Sequence, residues 1–222
     1  MEYVVRRCDS QMEMTGDWSA AQWQAAEVAE IASWRPEGSD HRPRTRVRLL
    51  YDKKGIHGLY HVEDTYVRCV ATKFQDSVCW DSCVEFFVEP KLGKGYFNFE
   101  FSGGGVLLVY YVTDPTRIPG GPLKGRTPLS EEDGKQVRRY HSLPAIVEPE
   151  IQEETEWVLE FFIPFGLFEK YVGPIGDVSG QTWRGNFYKC GDKTSHPHWG
   201  AWSPVDECNF HLPRCFGALR FE

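Results

Sequence analysis

The chain has 222 residues and a formal net charge of −7, with 41% hydrophobic and 14% aromatic residues. This hydrophobic fraction is enough to fill a core and argues against a disordered chain, while the length fits one large all-β domain. The acidic charge argues against nucleic acid as a partner, because binding to phosphates needs clustered Lys and Arg.

The predicted elements begin with one short N-terminal helix in the segment 15–35, which holds Trp18, Trp23 and an Ala-rich stretch at 25–32. After this segment the pattern changes to strands, and 46–51 and 56–62 flank a turn-like tetrapeptide that predicts a β-hairpin. Further strands are predicted at 66–72, 82–89, 95–102, 106–113, 156–163, 182–190 and 218–221.

Between residues 114 and 142 the sequence is rich in Pro, Gly and charge, with a capped turn of helix at 129–132. We interpret this segment as a long excursion over the surface. Many short strands and little helix predict an antiparallel β-sandwich, jelly-roll-like, forming a single domain over residues 1–222.

Alternation along the predicted strands sorts apolar from polar side chains, since successive residues of a strand face opposite sides. In 95–102, for example, Phe97, Phe99 and Phe101 share one face, while Asn98 and Glu100 share the other. If the strands are neighbours, their mixed faces present amides, carboxylates and a guanidinium among aromatic rings. The residues of these faces are Glu85, Phe87, Tyr96, Asn98, Glu100, Glu160, Phe162, Arg184, Asn186 and Tyr188.

Such a mixture suits a sugar, because planar polar groups bond its hydroxyls and aromatic rings stack on its C–H faces. An ordinary solvated face with Glu–Arg pairs across strands would show the same alternation. Parity alone therefore leaves both interpretations open.

Several segments resemble the family 9 carbohydrate-binding modules, and most closely their stand-alone relatives. They include D-S-C-V-E-F-F at 81–87, W-V-L-E-F-F-I-P at 157–164 and F-H-L-P-R-C-F-G at 210–217. Gly16-Asp17 near the start and Trp202-Ser203-Pro204 near the end occur in the family's order, so the resemblance runs from about Thr15 to the C terminus.

The resemblance implies a β-sandwich of a family whose members clamp the reducing end of a xylan- or cellulose-type sugar between two tryptophans above polar groups. Glu85 matches a family carboxylate that contacts sugar hydroxyls. Trp80 lies one place away from the first family tryptophan, and Phe210 occupies the position of the second. Glu100 stands where sugar-binding members carry an arginine, and we expect Arg184 to supply the missing guanidinium.

The leading hypothesis is a non-catalytic protein that recognises a mono- or oligosaccharide, in support of carbohydrate catabolism. Trp80 with Phe210 or Trp202 would stack on the sugar ring, and the polar residues would bond its hydroxyls. The predicted ligand-binding residues are Trp80, Glu85, Asn98, Glu100, Arg184, Asn186, Trp202 and Phe210.

The leading hypothesis predicts no catalytic residue, metal ligand or cofactor, but two other function classes stay open. The first is a structural or protein-interaction sandwich that has lost the sugar site, for which Glu100 is the best evidence. The second is an enzyme, either a glycosidase or a zinc hydrolase. Its candidate residues are the carboxyls Glu85, Glu100 and Glu160, or the histidine-rich set Cys190, Asp192, His196, His198 and His211.

A structural calcium ion, as some family members carry, would have to use Asp52, Asp64 and Asp76. Their spacing is not that of an EF-hand loop, so turn-forming roles are the preferred interpretation.

Seven cysteines without a C-x-x-C pair indicate reduced thiols rather than a disulfide framework or a zinc ribbon. No apolar run approaches the roughly 18 residues of a membrane span, and the first ten residues lack a leader's apolar region. We therefore expect a cytoplasmic protein without a membrane partner, unless a leader has been trimmed. The sequence does not indicate an oligomeric state.

Overall fold

Strands are the main secondary structure of the computed structural model, which describes residues 1–8 and 12–222. The strands are β1 (Glu2–Arg7), β2 (Ala29–Ile31), β3 (Ser33–Trp34), β4 (Arg44–Tyr51), β5 (Gly55–Cys69), β6 (Cys83–Glu89), β7 (Tyr96–Ser102), β8 (Leu107–Val112), β9 (Arg126–Pro128), β10 (Arg138–His141), β11 (Val147–Pro164), β12 (Thr182–Cys190), β13 (Trp199–Ala201) and β14 (Gly217–Phe221). Two α-helices, α1 (Glu131–Gln136) and α2 (Phe165–Val172), accompany them.

The strands form two layers, which confirms the predicted β-sandwich. Sheet 1 has the order β1-β14-β12-β6-β7-β8-β9, and sheet 2 has the order β10-β11-β5-β4, with β2 at its edge. The beginning of β1 pairs with β14 and its last two residues pair with β4, both in parallel. This strand therefore passes from one layer to the other.

Phenylalanines from both sheets interleave in the core. Phe86 stacks on Phe187 within sheet 1, with ring centroids 5.5 Å apart, and on Phe161 of sheet 2 at 5.8 Å. Phe101 stacks on the same Phe161 at 5.2 Å. Burial of each such ring stabilises the fold by about 1.5–3 kcal/mol. The predicted inward parity of Phe97, Phe99 and Phe101 is confirmed, because these rings are fully buried.

A buried ion pair also joins the two sheets. The ammonium Nζ of Lys189, on the inward face of β12, lies 3.3 Å from Oδ2 of Asp64 on β5, and neither side chain is exposed. Nζ also contacts Nε2 of His198 at 2.8 Å, and Nε2 of His41 lies 2.7 Å from Oδ1 of Asp64. Burial alone would raise the pKa of Asp64, but the Lys189 ammonium and the His41 contact hold it well below its usual range.

The other aspartates that were considered for calcium form turns. Asp52 accepts hydrogen bonds from the backbone N–H groups of Lys54 and Gly55, at 2.7 and 3.0 Å. Asp76 accepts the N–H groups of Thr72 and Lys73 at 2.9 and 2.8 Å. Asp64 is instead the partner of the buried lysine.

The N-terminal helix is shorter than expected, because it is a three-residue 3-10 turn at Ala21–Trp23, and the Ala-rich stretch ends in β2. The strand predicted at 66–72 is the end of β5, which continues unbroken through 15 residues. The excursion contains β9, α1 and β10, and Ser130 caps α1 by accepting the N–H of Asp133 at 3.2 Å. No helix within the described part of the chain is long and apolar enough to cross a membrane.

We predict that Asp64→Asn lowers the free energy of unfolding by about 3–5 kcal/mol, because it leaves the Lys189 ammonium buried without a counter-charge. The matched control is Glu30→Gln, which removes an exposed contact to Arg44 at 3.9 Å and should cost less than about 1 kcal/mol. Urea denaturation of both variants measures the difference. Equal effects would show that the buried pair does not contribute more than a surface pair.

The same pair predicts a pH dependence. The pKa of folded Asp64 lies below the ordinary value of 3.8, so its contribution is present above that pH and is lost as the pH falls toward the folded pKa. The stability gap between wild type and Asp64→Asn should therefore shrink below about pH 4, by up to about 1.4 kcal/mol per pH unit. Unfolding measured from pH 5 down to the lowest pH at which both proteins fold tests this, and a constant gap would contradict it.

Candidate functional site

A cavity of about 300 Å³ opens on the outward face of sheet 1. Its floor consists of side chains from three adjacent strands, namely Glu85 and Phe87 of β6, Glu100 of β7 and Cys190 of β12. The walls come from loops, through Cys79, Arg117, Asp192 and the segment 208–211, together with Trp199 at the start of β13.

Strand register brings the floor together. Glu85 lies directly opposite Glu100 across the β6–β7 pair and opposite Tyr188 across the β12–β6 pair. Directly opposed residues of neighbouring strands project to the same face of a sheet. The expectation that the polar faces of these strands are neighbours is therefore confirmed for β12, β6 and β7.

Two carboxyl groups dominate the electrostatics of the floor. Glu85 is 2% exposed and Glu100 is 7% exposed. Burial raises the pKa of Glu100 to about 7, although the hydrogen bond from Asn98 lowers it. Burial, with the nearby charge of Glu100, raises the pKa of Glu85 well above its usual value. Near neutral pH the pair therefore retains protons and offers donors as well as acceptors.

The two carboxyl groups differ in their partners. Oε1 of Glu100 accepts a hydrogen bond from Nδ2 of Asn98 at 2.7 Å, and Oδ1 of Asn98 accepts the N–H of Tyr110 at 2.9 Å. Oε1 of Glu85 accepts the thiol of Cys190 at 3.2 Å, while its Oε2 is buried without a partner. Buried polar atoms without a partner are rare in proteins, and this one lies at a cavity.

Aromatic side chains and one guanidinium form the walls. The ring of Phe210 is parallel to that of Tyr188, with centroids 4.0 Å apart and an interplanar angle of 11°. The indole Nε1 of Trp199 donates to Oδ1 of Asp192 at 2.7 Å. Arg117, from the surface excursion, brings its guanidinium to the same cavity.

Of the predicted ligand-binding residues, Glu85, Glu100 and Phe210 line this cavity. Asn98 lies beside the cavity. Both Nδ2 and Oδ1 of its amide are hydrogen-bonded, and Nδ2 orients Glu100. Asn186 is fully buried, and its amide bonds the backbone of Ser203 through both Nδ2 and Oδ1, at 2.8 Å each. Asn98 and Asn186 thus hold neighbouring groups in place.

Arg184 does not supply the guanidinium that the sequence led us to expect. Its Nη2 donates to the carbonyl of Pro213 at 2.6 Å, and its Nη1 lies 3.7 Å from Glu89. On β12, Arg184 lies opposite Glu89, two residues beyond the Asn186–Phe87 pair. It is therefore farther along the sheet than the cavity floor. Arg117 provides the guanidinium instead.

The two predicted stacking tryptophans lie elsewhere. Trp80 is 44% exposed and borders a separate depression beside Asp76, with the ammonium of Lys193 3.2 Å from its ring centroid. The expectation that Trp202 stacks on the ligand is wrong, because its ring turns inward after the end of β13 and is buried. It packs in the core against Tyr3 and Phe187, with centroids 6.4 and 5.4 Å away.

The carboxyl and histidine sets that suggested an enzyme are only partly brought together. Glu85, Glu100, Cys190, Asp192 and His211 line the cavity, whereas Glu160, His196 and His198 do not. Glu160 belongs to β11 in sheet 2, where it accepts the N–H groups of Thr15 and Gly16. His198 is buried beside Lys189, and His196 stacks on Tyr66 with centroids 3.6 Å apart. Only His211 of the three histidines lines the cavity, where its Nδ1 contacts the Tyr96 hydroxyl at 2.8 Å.

Sequence reasoning missed the wall residue Arg117, and it named Asp192 and His211 only as candidates for a zinc site, not for the sugar site. Trp199 carried a signal, because an aromatic residue in a loop-like segment is a candidate for a binding rim. Arg117 carried no such signal, since it lies in the excursion and reaches the cavity only through the path of that loop.

Comparison with known structures identifies close and distant relatives. A protein from Bacteroides uniformis ATCC 8492, to which carbohydrate binding has been ascribed, is 31% identical, with a TM-score of 0.86 over 100% of this chain and 99% of that one. A family 9 module from Caldicellulosiruptor kristjanssonii has the same fold at 12% identity. Its complex with glucose gives a TM-score of 0.63 over 100% and 96% of the two chains, and that with cellotriose gives 0.62 over 100% and 94%.

A search of curated protein sequences finds no significant match. The family model described as "Carbohydrate-binding family 9" matches residues 17–221, which is nearly the whole chain. The protein therefore belongs to carbohydrate-binding family 9.

Proposed function

We propose that the cavity on sheet 1 binds a mono- or oligosaccharide, of the xylan or cellulose type, by its end and without transforming it. The observation that carries the proposal is the meeting of buried carboxyls with an unpartnered oxygen, aromatic rings and a guanidinium around about 300 Å³. Family membership supports it, and so do the glucose and cellotriose complexes of the Caldicellulosiruptor module.

The floor supplies the polar half of sugar recognition. Oε2 of Glu85 is available for a hydroxyl group of the sugar, because it has no hydrogen-bond partner in the protein. Oε1 already accepts a hydrogen bond from the thiol of Cys190. Glu100 is held by Asn98, so its orientation does not have to be fixed when the ligand binds. Partly protonated carboxyls both donate and accept, as a row of hydroxyl groups requires.

The walls supply the apolar half. Phe210 is backed by Tyr188, whose hydroxyl also donates to the Phe210 carbonyl at 3.1 Å, so the wall is fixed at both its ring and its backbone. Trp199 is fixed by Asp192 in a similar way. Rings held in place before binding lose little conformational entropy when a sugar packs against them.

The placement of the carboxyls supports binding rather than hydrolysis. Glycosidases place two carboxyl groups on either side of the scissile bond. Glu85 and Glu100 are instead directly opposed on neighbouring strands, so both approach a ligand from the same side. Glu160 lies in the other sheet. A sugar-binding role without catalysis suits a protein that supports carbohydrate catabolism.

We predict that Glu85→Ala weakens sugar binding at least tenfold, which is about 1.4 kcal/mol, because it removes a buried hydrogen-bonding group from the floor. The matched control is Glu89→Ala on the same face of β6, since Glu89 bonds the Gly93 backbone and does not line the cavity. Isothermal titration with glucose, xylose, cellotriose and xylotriose measures both variants, after circular dichroism has established their folding.

If no sugar binds to the wild-type protein at millimolar concentration, the proposal fails, and a structural or protein-interaction role takes its place. Equal loss in both variants would indicate a general disturbance of β6 rather than a contact to the ligand.

We predict that Phe210→Ala weakens sugar binding about fivefold to tenfold, which corresponds to about 1–1.4 kcal/mol, because it removes a stacking surface from the cavity wall. Trp80→Ala serves as the control, since it removes a more exposed ring that lies outside the cavity, and should leave affinity within about twofold. The same titrations measure both. A larger loss from Trp80→Ala than from Phe210→Ala would move the binding site to the depression beside Asp76.

A further inference from the structure

Three groups with the chemistry of metal ligands meet at the floor of the cavity. The β12–β6 register places Cys190 directly opposite Cys83, and Glu85 lies two residues along β6 on the same face. Both sulfur atoms and one carboxylate oxygen lie within 4.8 Å of one another. All three side chains are buried, with exposures of 0, 1 and 2% for Cys83, Cys190 and Glu85.

The separations fit a tetrahedral ion. Sγ of Cys190 lies 3.2 Å from Oε1 of Glu85, and Sγ of Cys83 lies 4.0 Å from the same oxygen. With Zn–S bonds of about 2.3 Å and Zn–O bonds of about 2.1 Å, tetrahedral geometry puts sulfur and oxygen ligands about 3.6 Å apart. The observed distances bracket this value, so small side-chain movements suffice to bring the three atoms around one ion.

A second observation points to a ligand here. Oε2 of Glu85 is buried without a hydrogen-bond partner, whereas the directly opposed carboxyl of Glu100 is held by Asn98. An unpaired buried carboxyl oxygen is costly, and a bound cation would compensate it.

We propose that Cys83, Glu85 and Cys190 bind a thiophilic divalent cation of the zinc class. Two thiolates favour zinc over magnesium or calcium, which prefer oxygen ligands. Binding forms two metal–sulfur bonds and one metal–oxygen bond, and the protons of the ligands are released to solvent. The two thiolates and the carboxylate carry three negative charges, so the occupied site has a net charge of −1.

The fourth coordination position faces the cavity, because Glu85 and Cys190 both line it. A water molecule or another small oxygen ligand can occupy this position, as in zinc sites with three protein ligands. The site shares Glu85 with the proposed sugar site but does not rest on sugar binding, since metal binding is measured without sugar.

The test uses the full chain, reduced and under anaerobic conditions, titrated with Co²⁺ as a spectroscopic substitute for Zn²⁺. We expect one equivalent to bind, with intense visible absorption of tetrahedral cobalt and near-ultraviolet thiolate-to-cobalt charge transfer, and Zn²⁺ to displace it. Cys83→Ser and Cys190→Ser should each lose at least half of the charge-transfer absorption. Cys69→Ser, which alters an equally buried thiol on β5 in sheet 2, should retain it.

X-ray absorption spectroscopy of the zinc-loaded wild type gives a readout that needs no variant, and we expect two sulfur ligands at about 2.3 Å. Absence of saturable cobalt binding, a zinc spectrum without sulfur, or equal loss in Cys69→Ser would each overturn the proposal. Sugar titrations in the presence of a chelator separate the two sites: cobalt binding without sugar binding refutes only the sugar proposal, and the reverse result refutes only this one.

Discussion

The register that pairs β12, β6 and β7 is the constraint on which both faces of sheet 1 depend. On the outward face it sets Glu85 against Glu100 and Tyr188, and on the inward face it sets Phe86 against Phe99 and Phe187. Because side chains alternate along a strand, a slip of one residue would move the carboxyl into the core and the phenylalanines to the surface. The core rings therefore hold the polar site in register although they do not line the cavity.

The ion pair between the sheets adds to this constraint through a neighbouring residue. Lys189 and Cys190 are consecutive on β12, so the first projects inward to Asp64 and the second projects outward to Glu85. Anchoring the ammonium between the sheets thereby fixes the end of β12 whose outward side chain lies at the cavity floor. Stability of the fold and geometry of the site meet in two adjacent residues.

Alternation and family resemblance predicted the sandwich, the inward phenylalanines, and Glu85, Glu100 and Phe210 at the cavity. Sequence could not predict the direction of Trp80 or Trp202, because residues outside long regular strands have no fixed period that assigns them to a face. Arg117 reaches the cavity because of the course of the long surface segment 114–142, which the sequence pattern does not predict. Cys190 and Glu85 are 105 positions apart in the chain, and only strand register makes them neighbours. Metal-binding motifs are recognised in sequences by the short spacing of their ligands, so a pair this far apart is not detected.

Glu100 stands where the family resemblance places an arginine, and the different roles of floor and walls explain how the cavity accommodates this difference. Two buried carboxylates side by side are costly, because each loses its hydration and they repel each other. Burial raises the pKa of Glu100 to about 7, so a bound proton can remove its charge in the absence of a cationic partner. The guanidinium then comes from Arg117 on a loop rather than from a strand. A strand fixes where a polar group lies, whereas a loop can change its reach with little effect on the core. Under the proposed function, the strands of sheet 1 therefore make the cavity polar, and the loop residues around it select the ligand.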